Sequence, residues 1–238
     1  MLQAFYNAAL GAQQQMERLG VHSNNITNVN TYGYKPETPE FHILMYSMVE
    51  GIDGEQLPKG SGAIMGHTTT DFDAGPVEFT GKDLDYAIEG NGFFALYEPA
   101  TGEVTFTRDG AFVVSGFLEN GVLVNYLSDG EGRQVLSSDG YPMPVVNTQQ
   151  DLPIGVFNIQ YEDGLLHADS SRFRLGDKNG VITMSDAKVR RGYLETSGTD
   201  LAKELSKVIE TQRSYSYALK MVTTADEVET TINNLVNG

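Results

Sequence analysis

The feature that most constrains this 238-residue chain is a spacing shared by its two ends. Near the amino terminus Leu2, Phe5, Ala9, Ala12, Met16, Leu19, Ser23 and Ile26 fall alternately three and four residues apart. That is the narrow a/d seam of a coiled coil, not the broad stripe of a helix lying on a globular core. Near the carboxyl terminus Leu201, Leu205, Val208, Gln212, Tyr215, Leu219 and Val222 repeat the spacing with one polar member. Ala225, Val228, Ile232 and Leu235 carry the stripe on with a small phase shift. A narrow seam needs another helix, so the two ends are expected to pair with each other.

Between them the texture changes. In "VFNIQY", Phe157, Ile159 and Tyr161 alternate with Asn158 and Gln160, the period of a half-buried strand. Asn120-Gly121, Asp139-Gly140, Asp163-Gly164 and Asn179-Gly180 offer the positive backbone angles of tight turns. The stretch from Thr31 to Ala74 holds Pro36, Pro39, Pro58 and several glycines and should be extended, with an isolated strand. The fold class predicted is therefore α+β: N- and C-terminal helices paired as a coiled coil, a central all-β domain and an extended linking segment. The expected divisions are 1–30 with 197–238 for the helical core, 31–76 for the linker or insertion and 77–196 for the β-rich domain.

Sixteen basic against 32 acidic residues give a net charge of −16, which repels nucleic acid and anionic membrane surfaces. With no cysteine, neither a disulfide framework nor a thiolate metal site is available. The amino terminus lacks a basic n-region and a small-residue cleavage site, so it does not read as a Sec signal peptide. No apolar run reaches the roughly 18 residues of a spanning helix, and no membrane insertion is expected.

Directly after the first seam comes "NNITNVNTYGYK", Asn24 to Lys35. Asparagine tolerates left-handed backbone angles and bonds its own main chain, so this run reads as a shaped loop. Asn25-Ile26-Thr27 fits a glycosylation sequon, but chance is the better account. "DFDAGPVEF" lacks the third acidic position of a calcium loop, and "EGNGFF" runs into a strand where a phosphate loop needs a helix. His22, His42, His67 and His167 are scattered, with His22 read as a capping or packing residue. Lys35 and Arg213 read by default as solvated charges, with contacts between copies as the alternative if the chain polymerises. No catalytic, cofactor-binding or metal-ligating residue is nominated.

A lone pair of such helices, without a larger core behind it, gains little burial against the entropy of ordering it and should be weakly ordered in a monomer. Ordering should come when neighbouring copies add burial, which argues for polymerisation.

Three blocks resemble one family. "GAQQQMERLGVHSNNITNVNTYGYK" is similar to the amino-terminal signature of the rod and hook proteins of the bacterial flagellar axis, most closely the basal-body rod proteins. "DLDYAIEGNGFFAL" with "FTRDGAF" resembles the block that opens that family's β domain, and "GYLETSGTDLAKELSKVIETQRSYSYALKMVTTADEVETTINNL" its carboxy-terminal helix. Tyr32 and Ser197-Gly198-Thr199 depart from the usual pattern. "YSMVEGIDGEQLPKGSGAIMGHTTTDFDAGPVEFTG" is similar to the insertion that distinguishes distal-rod proteins from hook proteins, and the resemblance as a whole favours distal over proximal rod.

The resemblance implies a non-enzymatic subunit of the flagellar basal body. It would be exported through the flagellar type III apparatus, polymerise into a hollow helical tube and contact other rod and hook proteins. It further implies an assembly interface of Leu2, Phe5, Met16, Leu19, Ile26, Leu201, Leu205, Val208, Gln212, Arg213, Tyr215, Leu219 and Val222. Asn24, Asn25, Asn28, Asn30 and Gly33 would form the turn that leaves the inner helix. A hook-type subunit, or a secreted carbohydrate-active β domain with dimerising helices, stands as the alternative.

Overall fold

The computed structural model describes residues 2–50, 55–119, 122–147, 152–169 and 171–237. The chain divides into two compact units, one of residues 1–27, 37–69 and 200–238, the other of residues 28–36 and 70–199.

The first unit holds both helices, α1 (Leu2–Thr27) and α2 (Leu201–Asn237), with strands β1 (Glu37–Ile43), β2 (Ser47–Glu50), β3 (Gln56–Lys59) and β4 (Ala63–Thr70). Asp200 starts α2 as an N-cap, its Oδ1 accepting the N–H groups of Ala202 at 2.9 Å and Lys203 at 3.1 Å. The helices run antiparallel, since His22 meets Glu204 while the earlier Arg18 meets the later Glu210. α1 does not stop at the asparagine run. It continues through Asn24 and Asn25 to Thr27, and the Asn25 amide bonds the Glu37 backbone. The segment expected to be extended with an isolated strand contains paired strands: β1 pairs β4, and β2 pairs β3 with Ser47 opposite Lys59.

The second unit holds β5 (Val77–Phe79), β6 (Tyr86–Glu89), β7 (Phe93–Tyr97), β8 (Val104–Thr107), β9 (Val113–Glu119), β10 (Val122–Ser128), β11 (Gln134–Val135), β12 (Val156–Ile159), β13 (Leu166–Asp169), β14 (Arg172–Arg174), β15 (Ile182–Met184), β16 (Lys188–Arg191) and β17 (Tyr193–Glu195). Its main sheet is ordered β13-β14-β8-β7-β11-β10-β9, with β12 joined to β7 and β15 to β12. β7 lies at the centre. β8 pairs one edge of it, and β11 and β12 share the other end to end. Phe94 and Leu96 pack into one apolar cluster and Phe93 and Ala95 into a second. Both faces of β7 are covered, which is why its sequence is continuously apolar.

Of the expected turns, Gly140 and Gly180 take positive φ, 78° and 71°. Asp163-Gly164 does not: it lies in a 3-10 turn, Glu162–Gly164. Asn120-Gly121 lies outside the described residues, flanked by β9 and β10 paired with Val122 opposite Glu119. "EGNGFF" forms the turn from β6 to β7, with Gly90 and Gly92 at φ 117° and 128°. Among the described residues no helix is long and apolar enough to cross a membrane.

Candidate assembly interface

α1 and α2 are held in register by a buried polar cluster. His22 Nδ1 lies 2.7 Å from Glu204 Oε2, and both side chains are buried. Asn25 Nδ2 donates to Glu204 Oε2 at 3.3 Å and to the Glu37 carbonyl at 2.8 Å, while Asn25 Oδ1 accepts the Glu37 N–H at 3.0 Å. Lys207 Nζ donates to Glu204 Oε1 at 3.1 Å. One asparagine thus ties α1 to α2 and to the first residue of β1. Being fully buried inside a helix, it has no room for the glycan its sequon would permit.

Burial sets the ionisation here. It pushes the His22 imidazole below its ordinary value, more strongly than the Glu204 carboxylate pulls it back. Burial alone would raise Glu204, but hydrogen bonds from Lys207, His22 and Asn25 outweigh it and hold the carboxyl low. Farther along α1, Gln14 Oε1 accepts the Met65 N–H and Asn7 donates to the Gly60 carbonyl at 3.1 Å. α1 therefore presents one side to the β1–β4 segment and another to α2.

The least exposed line of α2 runs Glu204, Val208, Thr211, Tyr215, Ala218, Val222 and Ala225, again alternately four and three apart. It shares Val208, Tyr215 and Val222 with the line of apolar residues read from the sequence. Leu201, Leu205, Gln212, Arg213 and Leu219 are exposed. On α1, Phe5, Leu19 and Ile26 are half-buried, Met16 is exposed, and the side chain of Leu2 lies outside the described residues. Met16, Leu19, Gln212 and Tyr215 come together with Gln15 and Thr211 around a small apolar dimple between the helices. Asn24, still in α1, is exposed; in the loop that follows, Asn30 is exposed and Asn28 is buried, its carbonyl accepting the Thr31 N–H at 3.1 Å.

Gly33 belongs to the second unit, and its place there is strict. Its φ is 66°, its N–H donates to the Glu195 carbonyl at 2.9 Å, and a Cβ would lie 2.3 Å from the Asp109 nitrogen. Lys35 is not the solvated charge its sequence context predicts. It is fully buried, 2.7 Å from Glu195 Oε1 and 2.6 Å from the Asp73 carbonyl. Arg108 donates to Glu195 Oε2 at 3.0 Å and to the Gly90 carbonyl at 2.8 Å. Burial pushes the Lys35 ammonium down, and Glu195 partly restores it.

Sequence reasoning missed Glu195, Arg108 and Glu204. Only Glu204 carried a signal, its four-residue spacing to Val208. Among the described residues no group of three His, Asp or Glu side chains is arranged to hold a metal ion.

Two long terminal helices, a sheet-rich body and apolar side chains left in solvent along a helix define a structural subunit. Comparison with known proteins gives the same class a family. The family described as flagella basal body rod protein matches residues 5–35, the flagellar hook protein FlgE/F/G D1 domain residues 87–188, and the flagellar basal body rod FlgEFG protein C-terminal residues 190–235. The flagellar basal-body rod protein FlgG of Buchnera aphidicola subsp. Baizongia pistaciae is 30% identical, covering 96% of this chain and 97% of that one. FlgG of Bacillus subtilis (strain 168) is 28% identical over 100% of this chain and 99% of its own. The flagellar basal-body rod protein FlgF of Caulobacter vibrioides is 28% identical over 92% and 93%. The chain belongs to the flagellar basal-body rod protein family: it is a structural subunit of the flagellar basal body and not an enzyme.

Proposed function

We propose that this chain polymerises with copies of itself, and with other rod and hook components, into a hollow helical segment of the rod that carries torque from motor to hook. The distal segment is favoured, and the flagellar type III apparatus is the proposed export route. Residues 1–30 with 197–238 form the inner helical layer in this reading, paired as a coiled coil, and 77–196 the outer β domain. Leu2, Phe5, Met16, Leu19, Ile26, Leu201, Leu205, Val208, Gln212, Arg213, Tyr215, Leu219 and Val222 make its contacts, and Asn24 to Gly33 set the chain's exit from it.

The observation that carries the proposal is α2 itself: 37 residues long, with Leu201, Leu205, Ile209, Tyr217 and Met221 exposed. Covering each such side chain contributes on the order of 1 kcal/mol or more, which a neighbouring subunit can supply. A hook-type subunit has the D1-domain match over residues 87–188 in its favour, but the relatives that match along the whole chain are rod proteins, and the carbohydrate-active domain has no observation in its favour. Deleting the gene and imaging isolated basal bodies tests the reading: loss of the axial rod is expected, and an intact rod sinks it.

A further inference from the structure

Two of the four histidines meet on the β1–β4 pair. Glu40 and His42 stand two apart on β1, and His67 and Thr69 two apart on β4, so each strand turns its two side chains to a single face. The contacts make it a shared face. His67 Nε2 lies 3.4 Å from Glu40 Oε2, the Thr69 hydroxyl donates to Glu40 Oε1 at 2.8 Å, and the His42 and His67 rings stack with centres 5.5 Å apart. Gly66 leaves room for this stack, because a Cβ there would run into the His42 imidazole. Just past the end of β1 the Leu44 N–H donates to the Gly62 carbonyl at 2.9 Å, which holds the two strands together beside the rings.

Two imidazolium rings so placed would repel each other, as like charges on facing strands do. As neutral rings they offer nitrogen lone pairs instead. Neither His42 nitrogen has a hydrogen-bond partner among the described residues. Imidazole nitrogen together with carboxylate oxygen is the donor set of Zn²⁺ and the divalent ions near it in the first row. Donors about 2.0–2.1 Å from a tetrahedral ion stand roughly 3.3–3.4 Å from one another, which is the separation of His67 Nε2 and Glu40 Oε2. Thr69 fixes Glu40 through its other oxygen, the role an outer-shell partner plays for a ligating carboxylate. As they stand, the three donors do not converge on one point. His42 is exposed, however, and its ring can turn a nitrogen towards the other two while both strands stay in place.

We propose that His42, His67 and Glu40 bind a divalent transition ion of the zinc type, with solvent at the fourth position, and that the ion clips β1 to β4. The clip is cross-strand, since β1 supplies Glu40 and His42 and β4 supplies His67. The remaining histidines are engaged elsewhere: His22 is buried against Glu204, and His167 Nε2 is 2.9 Å from the Thr70 hydroxyl. The site goes beyond the rod reading and does not depend on polymerisation.

Isothermal titration of the untagged full-length chain with Zn²⁺ at neutral pH tests the site, with Co²⁺ as a visible-absorption probe of tetrahedral geometry. One ion per chain is expected, with intense tetrahedral Co²⁺ bands. His42→Ala, His67→Ala and Glu40→Ala change exposed side chains, and each should weaken binding about tenfold or more. His167→Gln should leave the affinity as it is. At a free Zn²⁺ concentration about ten times the Kd, amide exchange in β1 and β4 should slow about tenfold. A wild-type chain that takes up no ion, variants at 40, 42 and 67 that bind as tightly as wild type, or a loss of binding with His167→Gln would overturn the site. Binding without slower exchange would overturn the clip.

Discussion

Asn25 joins three parts of the first unit, because its amide serves a helix, a strand and a buried carboxylate together. Asn25→Ala leaves the Glu37 N–H without the partner it has now, and about 1–3 kcal/mol of stability should go with it. A lowered urea midpoint with an unchanged slope checks this. The same cluster makes the helix pair sensitive to acid. His22 is depressed below its ordinary 6.5, so as pH falls through 6.5 the unfolded chain takes up that proton first, and stability drops. Glu204 is depressed below 4.5; its contribution is present above that value and is lost as pH falls through the folded one. Both therefore weaken the pair towards acid, His22 acting first, with Glu204, Lys207 and Arg18 the charged groups around it. His22→Gln should flatten the decline in stability just below pH 6.5 and keep the steeper loss below 4.5, measured as urea midpoints across that range. An unchanged profile would show that His22 titrates as it does in the unfolded chain.

At the scale of elements, α2 has two apolar faces, and substitutions should tell them apart. Val208 lies on the half-buried line towards α1, whereas Leu205 is 46% exposed. Val208→Asp should lower the helicity of the isolated chain and cost about 1–3 kcal/mol, read by far-ultraviolet circular dichroism and urea unfolding. Leu205→Asp should leave both unchanged while blocking incorporation into the rod. Loss of helicity with Leu205→Asp, or none with Val208→Asp, would reverse the assignment of faces. The sequence announces that both ends are helices, because seven or more residues keep one spacing. It does not announce the phase of α2, because the buried line passes through Glu204 and Thr211 and a count of apolar residues passes them by. β7 is legible from "FFAL", and the turn at Gly180 from Asn179-Gly180. Asp163-Gly164 gives the wrong turn type because the same dipeptide also suits a short 3-10 turn. The Lys35–Glu195 pair joins residues 160 apart, and no local pattern encodes a partner at that distance.

For the whole molecule, that pair marks where the second unit begins and ends. Gly33 donates to the Glu195 carbonyl, and Gly198 donates to the Tyr34 carbonyl at 3.0 Å. Lys35 and Arg108 share the Glu195 carboxylate, and all three are buried. The unit thus clamps its own two ends, and a fragment of residues 28–36 and 70–199, joined by a short linker in place of 37–69, should fold without either helix. Calorimetry of that fragment should give one cooperative transition, abolished or lowered steeply by Glu195→Ala, which strands two buried cations at a cost of about 3–5 kcal/mol. A fragment with no transition would mean that the clamp needs the helices. The spacing of those ends has an evolutionary corollary: a loop that leaves and returns within one hydrogen bond is a socket. What lies beyond the clamp of Lys35, Arg108 and Glu195 can grow, shrink or be exchanged while the two chain segments at the socket stay one bond apart.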